Sequence, residues 1–270
     1  MAGDAEVSLI PMDGRILMTH AVESRAAPVA SGLVSLDGVT LTLGAREVLR
    51  GISLRLGERR VGVIGRNGSG KTSLARVLTG LITPETGQVR VNGVDVARDR
   101  KGALREIGII FQNPDHQIIF PTVAEELSFG PRQQGHDKSR AQRIAQEALE
   151  RFGVGAWAER AVSELSQGQK HLVCLMAVLA MRPSVIVLDE PFTGLDHPTS
   201  RALRRYLAGL EEMVVHITHD LEALAHYDRV IWIEEGCIRQ DGAAEEVLAD
   251  YRTAMDGIGE GTDAVTDLAG

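Results

Sequence analysis

The chain has 270 residues, 44% of them hydrophobic and 24% charged, with a formal net charge of −8. That is enough apolar material for one large or two modest cores, and it excludes collagen-like and wholly disordered classes. The negative balance gives no footprint for nonspecific nucleic-acid binding, and two isolated cysteines, Cys174 and Cys237, make neither a cysteine zinc site nor a disulfide scaffold.

Residues 1–32 mix Ala, Ser, Pro and Gly without a sustained period and read as a flexible extension. From residue 33 the pattern sharpens. Residues 33–43 and 48–56 alternate apolar and polar side chains, as antiparallel strands do. Residues 60–64 form a short β-branched run that ends in a Gly-rich loop. Residues 71–81 carry Leu74, Val77, Leu78 and Leu81 on one helical face. Residues 87–94 return to strand, with Asn92-Gly93 as a turn signal, and 107–111 is a further buried strand.

Residues 113–180 are mostly helical and interrupt the alternation of strand and helix. Within them, 138–152 is amphipathic, with Ile144, Ala145, Ala148, Leu149 and Phe152 on one face. The apolar run from Leu172 to Met181 has ten residues. A membrane-spanning helix needs about 20, so the run reads as a buried helix, and any membrane role must come through a partner. Then follow a strand at 185–188, a helix at 201–210, a strand at 214–218, a helix at 221–225 and a strand at 230–233. Alternating strand and helix argues for an α/β fold around a largely parallel sheet. Residues 251–270 are Gly- and Asp-rich and read as a flexible tail. Cys174 and Cys237 read as core packing.

Residues Gly65 to Thr72 fit the pattern G-x-x-x-x-G-K-[ST], with a strand before and a helix after. Glycines let the backbone curl so that N–H groups face phosphate oxygens, and the helix N-terminus adds partial positive charge. Gly65, Asn67, Gly68, Ser69, Gly70, Lys71, Thr72 and Ser73 are therefore the candidate nucleotide contacts. Lys71 would reach the β- and γ-phosphates, and the Thr72 hydroxyl would face Mg²⁺. The run 185–190 delivers Asp189 and Glu190 to the end of a buried strand, where ligands of parallel sheets sit. Neighbouring strand residues point to opposite faces, so the two acids have different tasks. Asp189 is placed for Mg²⁺ and Glu190 for polarising water.

Between these signals lies Leu165-Ser166-Gln167-Gly168-Gln169-Lys170. It resembles the LSGGQ signature of ATP-binding cassette (ABC) ATPases, with Gln167 where Gly is commonest. Gln112 matches that family's Q-loop, Gly194-Leu195-Asp196 its D-loop and His219 its switch histidine. Six motifs in order cover residues 33–250. The resemblance implies a P-loop NTPase with an antiparallel β subdomain, a RecA-like parallel core and an inserted helical subdomain. It implies ATP and Mg²⁺ as ligands, with Thr72, Gln112 and Asp189 on the metal. It implies Glu190, His219, Gln112 and Lys71 as the catalytic set. It also implies a head-to-tail homodimer in which Ser166, Gly168, Gln169 and Asp196 of one copy meet the nucleotide of the other.

Residues 111–126 (FQNPDHQIIFPTVAEE) look like the ATPases of energy-coupling factor importers for vitamins and metal ions. The entry to the loop at 58–65, and residues 219–220 and 227–230, are most similar to the biotin type, with cobalt and nickel types as close rivals. This likeness implies an integral-membrane coupling protein and a small substrate-binding membrane subunit as partners, at the cytoplasmic face of the membrane. The alternative is a soluble ATPase of the same family that assists iron–sulfur cluster assembly. DNA-organising relatives are set aside, because only 94 residues separate Lys71 from Leu165 and no heptad run or Cys cluster lies between. One departure stands out. The family usually stacks an aromatic residue on adenine, yet residues 33–60 contain none, and Leu43 falls at that place. A lost stacking contact, worth roughly 1–3 kcal/mol, predicts loose discrimination between ATP and GTP.

Overall fold

A computed structural model describes residues 34–261. The extension assigned to residues 1–32 lies outside the described residues, as does the tail from 262 onward.

Two sheets organise the chain. The first is antiparallel, in the order β2-β1-β4-β5, from β1 (Val34–Leu43), β2 (Arg46–Leu56), β4 (Thr86–Val91) and β5 (Val94–Asp95). Its strands β1 and β2 meet across a two-residue turn that pairs Leu43 with Arg46. The expected strand at 87–94 is thus two strands split at Asn92-Gly93, both at positive φ.

The second sheet has the order β10-β9-β3-β8-β7-β6. Its members are β3 (Arg60–Ile64), β6 (Ile107–Ile110), β7 (Val185–Asp189), β8 (Met213–Ile217), β9 (Arg229–Glu234) and β10 (Cys237–Gly242). All neighbours are parallel except β9 and β10. β7 and β8 are buried along their whole length, which explains their unbroken apolar runs. Between β3 and β4 lies α1 (Lys71–Leu78), and α2 (Arg100–Glu106) precedes β6.

The helical insert comprises α3 (Val123–Gln133), α4 (Lys138–Arg151) and α5 (Gln167–Ala180). Its core joins Leu127, Leu149, Leu175 and Met176 to Ile186 and Leu188 of β7, so insert and sheet share one apolar cluster. Leu172 to Leu179 pack in that cluster, in agreement with a buried helix rather than a span. No helix among the described residues is long and apolar enough to cross a membrane.

Several expectations need correction. α6 spans His197–Ala208 rather than starting at 201, because Asp196 caps it by accepting from Thr199 N–H at 2.8 Å, and Pro198 suits its first turn. The helix expected at 221–225 is a 3₁₀ turn at 221–224. Neither α2 nor β10 was anticipated. Residues 251–261 are not a tail but the second half of α7 (Ala244–Gly261). Val247, Leu248, Tyr251, Ala254 and Met255 give that helix an apolar face, and Trp232 of β9 packs against Tyr251 with ring centroids 5.0 Å apart. Cys174 is buried, but Cys237 is exposed at the start of edge strand β10 and is not core packing.

Candidate active site

Four adjacent strands, β3, β8, β7 and β6, end side by side, and each ends in a predicted site residue. β3 leads into the 65–72 loop, β8 into Thr218 and His219, β7 into Asp189 and Glu190, and β6 into Gln112. Parallel register aligns the ends: Val63 pairs with Ile217, Asp189 with Ile217, and Ile110 with Leu188.

The loop is wedged against the sheet. Gly65, Gly68 and Gly70 all have positive φ. A Cβ on Gly65 would strike the Ile233 carbonyl, and one on Gly70 would lie 2.5 Å from the Val48 carbonyl. Gly236 N–H donates to Ser69 O at 3.0 Å, and Arg46 Nη2 donates to Gly68 O at 3.1 Å. Lys71 Nζ donates to Gly65 O at 2.7 Å and Arg66 O at 3.0 Å. Burial pulls the Lys71 ammonium below its ordinary pKa, against the opposing pull of Glu190 and Asp189. Among the described residues, the Ser69 hydroxyl is buried without a hydrogen-bond partner. Asn67 and Ser73 flank this cradle at the loop tip and in the first turn of α1. A ring of backbone N–H groups, a buried ammonium and an orphan hydroxyl fit a polyphosphate.

Thr72 Oγ1 donates to Asp189 Oδ1 at 3.3 Å. Burial raises the Asp189 pKa, and the bond from Thr72 offsets part of that. A hydroxyl beside a carboxylate is a hard-oxygen pair of the kind Mg²⁺ takes. Gln112 is exposed two residues beyond β6, the strand next to β7, and its carbonyl oxygen lies 3.2 Å from His171 Nε2.

Glu190 has φ 52, a left-handed conformation that costs a non-glycine residue about 1 kcal/mol or more. Its N–H donates to Ile217 O at 3.0 Å. Its carboxylate is held at both oxygens: His219 Nδ1 lies 2.9 Å from Oε1, and Thr218 Oγ1 donates to Oε2 at 3.2 Å. Thr218 was not among the predicted residues. Its place beside His219 at a strand end was the available signal. Arg46 and Gly236 were also missed, since each reaches the loop from a distant hairpin.

The signature residues are elsewhere. Ser166 is the N-cap of α5, accepting from Gln169 N–H at 3.3 Å, while Gln169 Oε1 accepts from Ser166 N–H at 3.0 Å. That reciprocal pair is a capping box. A Cβ on Gly168 would lie 2.6 Å from Thr199 Cγ2, so only glycine lets α5 approach α6 here. Asp196 spends its side chain on capping α6. Among the described residues, no hydrogen bond joins the 166–169 turn to the 65–72 loop.

Residues 49–193 match the family described as ABC transporter. The chain belongs to the ABC transporter family. As an ABC ATPase it binds nucleotide and hydrolyses ATP. It is 49% identical over 222 residues to the biotin transport ATP-binding protein BioM of Rhodobacter capsulatus, covering 82% of this chain and 95% of that one. It is 37% identical over 210 residues to the cobalt import ATP-binding protein CbiO of Syntrophus aciditrophicus, covering 76% and 75% respectively. Among solved structures, cbiO1 from Clostridium perfringens, described as part of the ABC transporter complex cbiONQ, superposes with a TM-score of 0.69 at 26% identity. That alignment covers 88% of this chain and 98% of the other.

Proposed function

We propose that this ABC ATPase energises a membrane importer for a vitamin or a transition-metal ion, with biotin the first choice and cobalt or nickel next. The carrying observation is the 49% identity to a biotin transport ATP-binding protein across 95% of that protein's length. The assembly alternative, helping to build iron–sulfur clusters, draws nothing from the relatives named above.

The geometry supports the following division of labour. ATP lies on the 65–73 cradle, with Lys71 and the Ser69 hydroxyl on its phosphates. Thr72, Asp189 and Gln112 would hold Mg²⁺, which would supply charge neutralisation to the polyphosphate. Two copies pair head to tail, and Ser166, Gly168, Gln169 and Asp196 of the second copy complete each site. Glu190, braced by Thr218, orients water, and His219 stabilises developing charge. Leu43, at the place of the family's aromatic, is 42% exposed, so GTP serves within about tenfold of ATP.

The chain works at the cytoplasmic face, held there by a helical coupling protein and a small substrate-binding membrane subunit. The test is a pull-down of the tagged chain from detergent-solubilised host membranes. Recovery of both membrane proteins, with biotin binding by the small one, is the expected result. Recovery of soluble partners alone would remove the transport reading.

A further inference from the structure

The departure at Gln167 has a partner. Asp115 sits in a 3₁₀ turn at 114–116 that Asn113 caps, with Asp115 N–H donating to Asn113 Oδ1 at 2.9 Å. Its carboxylate reaches across to the first turn of α5. Lys170 Nζ donates to Oδ1 at 2.6 Å, and Gln167 Nε2 donates to Oδ2 at 3.1 Å. A glycine at 167 would lack the second donor. The Lys170 and Gln167 bonds hold the Asp115 carboxyl below its ordinary range. Beneath these bonds the buried His171 ring lies between Gln167 O of its own helix, 3.0 Å from Nδ1, and Gln112 O, 3.2 Å from Nε2. The tautomer with its hydrogen on Nε2 donates to Gln112 and adds a third link between the two segments.

The loop is also closed on itself. Gln117 Oε1 accepts from Phe111 N–H, and Gln117 Nε2 donates to Ile109 O, both at 3.2 Å. Residues 111–117 are therefore one compact piece, bound by side chains to the turn that begins with Ser166.

We propose that Asp115 is a positioning residue: it latches the first turn of α5 to the 112–117 segment, so that Gln112 and Ser166 move as one body. Gln112 follows the nucleotide held by its own chain, and Ser166 meets the nucleotide of the second copy. The latch thus couples the occupancy of one half-site to the aim of the other. This role rests on the two-copy reading above. The Asp115–Lys170 pair faces solvent on one side and adds little to folding stability, so its variants fold.

The test is charge reversal in the full chain. Asp115→Lys and Lys170→Asp should each speed amide hydrogen exchange at residues 115–118 and 168–171 by about fivefold. The double variant D115K/K170D should restore the wild-type rates, since the Gln167 amide oxygen accepts from a lysine. In step, kcat should fall about tenfold in each single variant with KM for ATP unchanged, and return in the double. Unchanged exchange in both single variants would overturn the latch, as would a double variant as fast as the singles. Accelerated exchange with unchanged kcat would overturn the positioning role. Should the wild-type chain show no ATP-driven self-association, the two-copy reading fails instead, and the exchange rates still decide the latch.

Discussion

At the 65–72 loop backbone presses on backbone: Gly236 N–H on Ser69 O, and Gly65 and Gly70 against the carbonyls of Ile233 and Val48, with Lys71 Nζ also donating to Gly65 O and Arg66 O. Around the 166–169 turn the contacts are made by side chains: Ser166 with Gln169, Gln167 and Lys170 with Asp115, His171 with Gln112. The 65–72 loop is wedged between the parallel sheet and two hairpins. The first turn of α5 is held by polar, partly exposed side chains, while the rest of that helix, Leu172 to Leu179, is anchored in the apolar cluster shared with β7. Exposed polar contacts break and re-form at little cost, so the turn is the more easily shifted of the two.

Four experiments would break or sharpen that contrast. Glu190→Gln keeps the shape but not the base, so steady-state turnover should drop by about 10³-fold with ATP affinity unchanged. Ordinary multiple turnover by this variant would refute the assignment to Glu190. Gly65→Ala forces a Cβ onto the Ile233 carbonyl, and ATP affinity of the single chain should fall by roughly 100-fold, read by titration with a fluorescent ATP analogue. Ser166→Ala should leave that single-chain affinity within about twofold. It removes the α5 cap, costing about 1 kcal/mol in chemical denaturation, and should slow hydrolysis by roughly 100-fold through the second copy's site. Weakened single-chain binding in Ser166→Ala would show that the half-sites are not separate.

The fourth experiment is a control on the sheet that carries both acids. His216 of β8 is buried between Phe192 and Tyr227, with Nδ1 3.0 Å from the Tyr227 hydroxyl. Burial lowers its pKa to about 3. Below the ordinary value near 6.5 the unfolded chain takes up a proton that the native chain refuses. Stability therefore falls as pH drops from about 6.5 toward 3, by up to about 1.4 kcal/mol per pH unit from this residue. His216→Phe should flatten that acid limb in urea unfolding at pH 6.5 and 5.0. An unchanged slope would mean that His216 protonates in the native state.

Local signals carried much of the reading. The glycine spacing at 65–70, the acid pair ending an apolar strand and the serine opening α5 each report on a few adjacent residues. The α/β class followed from their order, and the shared ABC motifs named the family. Where the reading failed, the missing information was contact at a distance. Residues 251–261 looked like a tail because Gly and Asp weaken helices, yet Trp232 gives Tyr251 a surface to pack on. Cys237 looked like core until β10 proved to be an edge strand.

The sequence by itself determined which residues are candidates for the chemistry: loop glycines with Lys71, the pair Asp189 and Glu190, His219, and Ser166. Tertiary structure decided how they stand. It set β3, β8, β7 and β6 side by side, so that Thr72 meets Asp189 and Thr218 braces Glu190. It also tied Gln167 and Lys170, in the turn that Ser166 caps, to Asp115. Strand order, and the reach of side chains across it, depend on the packing of apolar faces far apart in the chain, which no local spacing encodes.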